Sequence, residues 1–342
     1  MLFEQIATGG CQSYMLGCPD TCAAVIIDPA LAQVDRYVGL AQKWGVRVRY
    51  LIDTHTHADH FSAARQLREV LHAPVVMHRL SPAPHVDIRL DDGEMLVAGG
   101  LRLQAMHTPG HTADSMCLLC GDKVFTGDTL LIGATGRTEL PSGDAQALYD
   151  SLFGRLLTLD PATQVYPAHD YKGLGSTTIG REIAENPRLQ KRERGAFVAM
   201  MRELNLAAPD HMTEALRTNM TGGKTVDQLL GEAAARVPFM SLAELARCVE
   251  ARPNDFIVLD VREAAAFGAG HVPRAMHLPR GQLELRVNEA FPDPTVRILA
   301  VCEFGKISTL AAATLREMGF TRAIALDGGM KAWRDGGYPV EG

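Results

Sequence analysis

The sequence predicts a chain of two consecutive α/β domains, and three observations support this fold class. The chain has 342 residues, 46% of them hydrophobic, whereas a single core seldom organises more than about 250–300 residues. Up to about residue 170, short strand-like runs alternate with helical patterns, which suits two stacked sheets between layers of helices. From residue 242 onwards strands and helices alternate, which predicts a parallel sheet with right-handed crossovers.

The elements of the first domain follow from apolar and β-branched runs that are bounded mainly by Gly, Pro or Asp. Its predicted strands are residues 23–27, 46–52, 74–77, 101–106, 115–119, 123–126 and 164–166. Charged and Ala/Leu-rich stretches at 188–203 and 226–236 predict helices that cap this domain. Turn residues at 221–224 and 237–238 then place the boundary, giving domains 1–236 and 237–342.

In the second domain the same patterns predict strands at 256–259, 297–301 and 323–326, and helices at 308–318 and 328–334.

Composition excludes several classes of partner. A net charge of −6 gives no electrostatic reason to expect nucleic acid, whose binding proteins usually carry a basic stripe. Residues 1–10 lack the basic start of a signal peptide, and the apolar runs fall short of the roughly 18 residues of a membrane span. The seven scattered cysteines suit reduced thiols. We therefore expect a cytoplasmic protein without a membrane or nucleic-acid partner, and the sequence leaves a homo-oligomer open.

A dense cluster of metal-binding side chains follows the second predicted strand. The segment Thr54-His-Thr-His-Ala-Asp-His60 places three imidazoles and one carboxylate within six positions. Three further candidates, His111, Asp128 and His169, stand at the ends of later strands. Imidazole and carboxylate are the ligands used for zinc, iron and manganese, so the combination predicts a metal site where the strand ends converge.

This motif, H-x-H-x-D-H followed by distant His, Asp and His, resembles the metallo-β-lactamase superfamily over about residues 1–235, which implies an αββα sandwich. The seven ligands can hold metal in two ways. Two zinc ions would be held by His55, His57 and His111 on one side, by Asp59, His60 and His169 on the other, and by Asp128 between them; this is a hydrolase design. Alternatively, His55, His111 and Asp128 alone would hold one Fe(II) ion, with positions open for O₂ and substrate.

Two short stretches favour the iron arrangement. Gly136-Arg-Thr-Glu139 and His169-Asp-Tyr171 resemble segments of persulfide dioxygenases, although the usual first segment reads Gly-Arg-Thr-Asp-Phe. By this resemblance Arg137 and Tyr171 hold the glutathione part of the substrate, since a guanidinium pairs well with a carboxylate. The residues left without metal would then orient the ligands by hydrogen bonds. They are His57, Asp59, His60 and His169.

The second domain carries a candidate nucleophile. The predicted strand 297–301 runs into Cys302-Glu-Phe-Gly-Lys-Ile-Ser308 and then into a helix. A cysteine at such a turn faces backbone N–H groups and the positive end of the helix, which favour the thiolate.

Four segments in order resemble rhodanese over about residues 238–342, which implies an α/β domain with a parallel sheet in which Cys302 carries sulfane sulfur as a persulfide. They are Leu259-Asp-Val-Arg-Glu263, Gly270-His-Val-Pro273, the Cys302 segment, and Leu326-Asp-Gly-Gly-Met-Lys-Ala-Trp333. Many rhodaneses carry arginines where this chain has Glu303 and Ile307, so Lys306 is the cation left beside Cys302. The lower positive charge weakens capture of a dianion such as thiosulfate.

Together the resemblances imply a bifunctional enzyme of sulfur metabolism. One domain would oxidise glutathione persulfide with O₂ to sulfite and glutathione at one iron ion. The other would transfer sulfur between thiosulfate or persulfide and glutathione or sulfite, and tethering the two would raise the local concentration of the shared intermediate. The alternatives are a two-zinc thioester hydrolase of the glyoxalase II type and a non-catalytic, rhodanese-like binding module.

Overall fold

The computed structural model describes residues 1–204, 206–207, 212–251, 253 and 255–342. Among these residues, the first of two units, Met1–Gly223, contains two six-stranded sheets, one two-stranded sheet and six α-helices. Its strands are β1 (Leu2–Thr8), β2 (Cys11–Cys18), β3 (Ala23–Ile27), β4 (Arg47–Ile52), β5 (Val75–His78), β6 (Ile88–Leu90), β7 (Met95–Ala98), β8 (Leu101–His107), β9 (Met116–Cys120), β10 (Lys123–Gly127), β11 (Leu130–Leu131), β12 (Ala134–Thr135), β13 (Gln164–Pro167) and β14 (Thr177–Thr178). Its helices are α1 (Val34–Trp44), α2 (Ala64–Leu71), α3 (Ala145–Phe153), α4 (Ile179–Glu185), α5 (Arg194–Arg202) and α6 (Met212–Thr221).

The two large sheets stack on each other. One has the order β1-β2-β3-β4-β5-β6 and the other β14-β13-β10-β9-β8-β7. Leu16 and Val25 of the first sheet share a buried cluster with Leu103 and Leu118 of the second, so this core lies between the sheets. Burying these side chains is the main favourable term that holds the sheets together.

Helices cover the outer face of each sheet. Ile26 and Leu51 pack with Tyr37 of α1 and Leu67 of α2 on one side. Cys117 and Val165 pack with side chains of α3 and α5 on the other, including Leu148 and Phe197. The layer order is therefore helix, sheet, sheet, helix, and the predicted αββα sandwich is confirmed.

The second unit, Lys224–Gly342, contains a five-stranded parallel sheet. Its elements are α7 (Val226–Ala234), β15 (Phe239–Met240), α8 (Leu242–Ala251), β16 (Phe256–Asp260), α9 (Ala264–Gly268), β17 (Met276–His277), α10 (Leu283–Ala290), β18 (Arg297–Val301), α11 (Lys306–Glu317), β19 (Ile324–Leu326) and α12 (Gly329–Asp335). The strand order is β15-β19-β18-β16-β17, and buried clusters lie on both faces of the sheet. The predicted α/β architecture with a parallel sheet is confirmed.

The division between the units differs from the sequence-based boundary at 236/237. Contacts group α7 with the second unit, because Ala233 at its end packs with Leu259 and Leu315 in that core. A capping box at Thr225, in which Gln228 N donates to the threonine hydroxyl, starts the helix at this point. The helix predicted at 226–236 was expected to cap the first domain, whereas Ala233 of α7 packs in the core of the second unit.

Among the described residues, no helix combines the length and the apolar character needed to cross a bilayer.

Candidate metal centre and cysteine loop

The metal-ligand candidates lie in loops that follow four strands of the first unit. The loop after β4 carries the histidine cluster, and β8, β10 and β13 lead to His111, Asp128 and His169. These strands belong to both stacked sheets, so only the sandwich brings the loops together.

Three buried side chains offer ligand atoms that all lie within 4.8 Å of one another: His55, His111 and Asp128. Nε2 of His55 and Oδ1 of Asp128 have no hydrogen-bond partner among the described residues. Nε2 of His111 lies 3.4 Å from Oδ2 of Asp128. Buried polar atoms are costly unless something satisfies them. Two imidazoles and a carboxylate that converge in this way fit a metal ion.

Hydrogen bonds orient both imidazoles for this purpose. Nδ1 of His111 lies 2.8 Å from the Arg137 carbonyl, to which it must donate. The hydroxyl of Thr54 donates to Asp28 at 2.9 Å and lies 3.0 Å from Nδ1 of His55, so it accepts the proton of that nitrogen. In both rings the proton on Nδ1 leaves the lone pair of Nε2 for a ligand bond.

Burial also keeps the ligand groups in the protonation state that metal binding requires. It lowers the pKa of His55 well below the usual range, with a further contribution from His57. Burial by itself raises the pKa of Asp128, but the neighbouring His169, His111 and His55 outweigh it, and the pKa is lowered. A neutral imidazole and an ionised carboxylate are the species that coordinate metal.

The remaining four candidates, His57, Asp59, His60 and His169, take part in histidine–carboxylate pairs. His57 Nε2 lies 3.2 Å from Asp28 Oδ1. Nδ1 of His60 and Nε2 of His169 both approach Oδ2 of Asp59, at 3.1 Å and 3.2 Å. His169 is also 3.5 Å from Asp128 Oδ2. Their predicted role in orienting the ligands stays a prediction.

Three residues of this site were missed from the sequence. Cys11 donates its thiol to Asp59 Oδ2 at 3.1 Å. Asn219 donates to the carbonyls of His57 and His60 at 2.9 Å and 2.8 Å and so fixes the histidine loop. Asp28 could have been found, because it follows a buried strand as the other candidates do. Cys11 and Asn219 carry no comparable signal.

A cavity of about 280 Å³ opens beside the metal ligands and is lined by residues including His111, Asp128, Arg137 and Tyr171. Arg137 donates to Glu139 through Nε at 2.7 Å and to the carbonyls of Ala207 and Leu206 at 2.8 Å and 3.1 Å. The Tyr171 ring stacks on His169 with 5.4 Å between centroids and is 74% exposed. Both predicted substrate-binding residues therefore lie at the cavity, with much of the Arg137 guanidinium already bound.

In the second unit, Cys302 stands between β18 and α11. Its side chain is buried, and its sulfur accepts a hydrogen bond from Ser308 N at 3.2 Å. The thiol lies 3.3 Å from the Ser308 hydroxyl. Gly305, with φ of 86°, caps the start of α11, a conformation that glycine adopts without strain. Lys306 is exposed at the first position of that helix.

Each of the two units matches a known protein family. Residues 7–169 match the metallo-beta-lactamase superfamily, and residues 241–335 match the rhodanese-like domain. The mitochondrial persulfide dioxygenase ETHE1 of Homo sapiens is 37% identical over 214 residues, which cover 62% of this chain and 84% of that protein. The Bos taurus protein of the same name gives the same identity and coverage. The chain belongs to the persulfide dioxygenase family of the metallo-β-lactamase superfamily.

Solved structures extend this likeness. ETHE1 from Myxococcus xanthus superposes with a TM-score of 0.64 at 40% identity and covers 66% of this chain and 100% of its own. A metallo-beta-lactamase from Staphylococcus aureus subsp. aureus COL covers 95% of this chain and 99% of its own with a TM-score of 0.61, and its 21% identity shows the fold alone. The predicted family and the rhodanese domain are confirmed. The chain is thus an enzyme of sulfur metabolism, and its family implies a bound metal.

Proposed function

We propose that the first unit oxidises glutathione persulfide with O₂ and water to glutathione and sulfite, at one iron ion per chain held by His55, His111 and Asp128. The observation that carries this proposal is the convergence of these three buried ligands, two of which have atoms without a partner among the described residues. The reaction balances, because one persulfide, one O₂ and one water give one glutathione and one sulfurous acid. The name of the relatives, persulfide dioxygenase, supports the substrate and the reaction.

Iron at such a site would supply open coordination positions and the redox chemistry that amino-acid side chains lack. The protein contributes orientation. Asp28 and Thr54 fix the tautomer of His55, and the Arg137 carbonyl fixes that of His111. Arg137 and the Tyr171 hydroxyl are the groups we assign to the glutathione end of the substrate.

The pairing of the other candidate ligands supports one ion rather than two. Nε2 of His57 is bound to Asp28, and Oδ2 of Asp59 is bound by His60, His169 and the Cys11 thiol. A second ion would have to replace these contacts. Four of the seven candidate ligands, Asp59, His111, Asp128 and His169, line one cavity. This arrangement favours the two-zinc thioester hydrolase as the second candidate.

For the second unit we propose sulfur transfer through a persulfide on Cys302, between thiosulfate or persulfide donors and glutathione or sulfite as acceptors. The hydrogen bond from Ser308 N to the sulfur supports this role, because a backbone donor stabilises the anionic form. Lys306 is the cation that we assign to an anionic substrate.

Metal content and oxygen uptake of the purified protein test the proposed dioxygenase, and a sulfur-transfer assay of the same protein tests the proposed sulfur carrier. We expect one iron per chain and persulfide-dependent O₂ consumption. His55→Ala or Asp128→Ala should abolish oxygen uptake and leave sulfur transfer intact, whereas Cys302→Ser should do the reverse. His85→Ala and Cys248→Ser, which lie outside both sites, are the matched controls. Two zinc ions with thioester cleavage would contradict the dioxygenase, and normal sulfur transfer by Cys302→Ser would contradict the sulfur carrier.

A further inference from the structure

The residue directly after Cys302 is an acid held by two arginines. Arg262 Nη1 donates to Glu303 Oε2 at 3.1 Å, and Arg334 Nη2 donates to Oε1. The pKa of Glu303 is lowered, because these two guanidinium groups outweigh the opposing effect of partial burial. The side chain is therefore an anion at neutral pH, next to the sulfur-carrying cysteine.

A second acid occupies the rest of the Arg262 guanidinium. Asp260, which is fully buried, accepts from Arg262 Nε at 3.0 Å and from Nη2 at 2.7 Å. Nη2 also donates to the Gly270 carbonyl at 2.7 Å. Two carboxylates thus oppose two guanidinium groups, and the charges of this cluster cancel.

The rim of the loop is apolar. Phe304 is 65% exposed and Ile307 is 50% exposed, on either side of Gly305 and Lys306. The exposed side chains of the loop that carries the buried Cys302 are thus two hydrophobic groups and one lysine. Thiosulfate is a small, strongly hydrated dianion that gains little from such a rim, since it needs compensating charge for the water it loses. The persulfide of an organic thiol has its charge at one end and an organic body that can contact Phe304 and Ile307.

We propose that Glu303 is a specificity-determining residue, which engages Arg262 and Arg334 and so directs Cys302 toward persulfides of organic thiols and away from thiosulfate. This inference rests on the proposed sulfur-carrier function and names its donor. In the transfer, the Cys302 thiolate attacks the terminal sulfur of the donor persulfide. The donor S–S bond breaks, a new S–S bond forms on Cys302, and the donor leaves as a thiolate that takes up one proton, so no oxidant is needed.

The test uses the full-length protein with two donors, thiosulfate and glutathione persulfide, and follows kcat/KM for sulfur transfer to cyanide. Glu303→Gln keeps the shape of the side chain and leaves the cluster with one uncompensated positive charge, because Asp260 still pairs with Arg262. We expect kcat/KM for thiosulfate to rise about tenfold, and that for the organic persulfide to change by less than about twofold. The gain should shrink with added KCl, because salt screens exposed charges. Glu289→Gln, which removes the same charge from exposed surface on α10, should change neither.

Ile307→Arg provides a second variant that leaves the Glu303 ion pairs in place. It adds a cation at an exposed position of the rim and should also favour thiosulfate. Equal changes for both donors in Glu303→Gln and Ile307→Arg, or no change for thiosulfate, would overturn the role of Glu303 alone. A wild-type Cys302 that accepts sulfur from neither donor, as read by mass spectrometry of the intact protein, would overturn the sulfur carrier itself and this inference with it.

Discussion

Asp28 acts on the metal centre through one intervening residue. Its carboxylate accepts from Thr54 N at 2.7 Å and from the Thr54 hydroxyl, which in turn faces Nδ1 of His55. Burial raises the pKa of Asp28, and the two hydrogen bonds from Thr54 counteract that effect. Outer contacts of this kind set the tautomer and the ring orientation of a metal ligand.

Replacing Thr54 tests this chain of contacts. Thr54→Val keeps the shape but removes the hydroxyl, so we expect metal affinity to fall roughly tenfold to a hundredfold. Competition with a chelator measures the affinity. Thr56→Val is the control, because Thr56 is buried in the same loop as Thr54 but its hydroxyl donates to Asp114, at 2.6 Å. An equal loss of affinity in both variants would show a general loosening of the loop instead.

Cys117 provides a pH-dependent prediction at the residue scale. Burial raises the pKa of its thiol from 9.0 to about 11. The folded protein therefore holds this proton more tightly than the unfolded chain, and the resulting stability is present below pH 9 and is lost as the pH rises toward 11. We expect about 2–3 kcal/mol of the free energy of unfolding to disappear across that range. Denaturant unfolding at several pH values measures this loss of the free energy of unfolding. Cys117→Ala should lack this contribution to the pH dependence between pH 9 and pH 11.

At the scale of elements, strand ends and loop conformation position the ligands. His111 follows Gly110, whose φ of 139° suits glycine. A Cβ on Gly110 would lie 2.3 Å from Leu148 Cα in α3, which is too close for two non-bonded carbon atoms. Helix α3 begins at Ala145, where the Asp144 side chain accepts hydrogen bonds from Gln146 N and Ala147 N. The close approach of α3 to the loop thus requires glycine next to His111, a proposed metal ligand.

Gly110→Ala should therefore be destabilising by about 2–4 kcal/mol, because either the loop or α3 must move. It should also weaken metal binding through His111. Gly39→Ala is the contrasting control, since it lies within α1 with open space around its Cβ position and should stabilise by about 0.5–1 kcal/mol. Thermal unfolding measures the stability of both variants, and metal titration measures their metal affinity. Unchanged metal affinity in Gly110→Ala would contradict the proposed link between the close approach and the ligand.

On the scale of the whole molecule, each unit has its own buried clusters. Only the first contains the group formed by His55, His111 and Asp128. A ligand that binds only the folded state stabilises it, by about 2.7 kcal/mol at a hundredfold excess over its Kd. The two units should therefore respond differently to metal.

Removing metal with a chelator should lower the Tm of one calorimetric transition and leave the other in place. His55→Ala should abolish this response, because it removes a ligand from the first unit. Cys302→Ser should leave it unchanged. If both transitions shifted by the same amount, the assumption that the metal stabilises one unit alone would be wrong.

Local sequence was sufficient for the central strands. The runs predicted at 23–27 and 297–301 coincide with β3 and β18, because strands that are buried on both faces are continuously apolar. The hairpin of β1 and β2 was not predicted, although Gly9-Gly10 between the strands is a turn signal. Short strands such as β11, β12, β15 and β17 were missed as well, since two residues are too few to show a period.

The sequence by itself determined the two fold types, the candidate metal ligands and the candidate nucleophile, because buried strands, dense histidine clusters and a cysteine at a strand end are local signals. Only the tertiary structure decided which ligands converge, since His55, His111 and Asp128 are far apart along the chain and meet where two sheets stack. It also decided that Glu303 is paired with Arg262 and Arg334, and that α7 packs with the second unit. Distances between remote segments depend on how whole layers pack, and no short stretch of sequence contains that information.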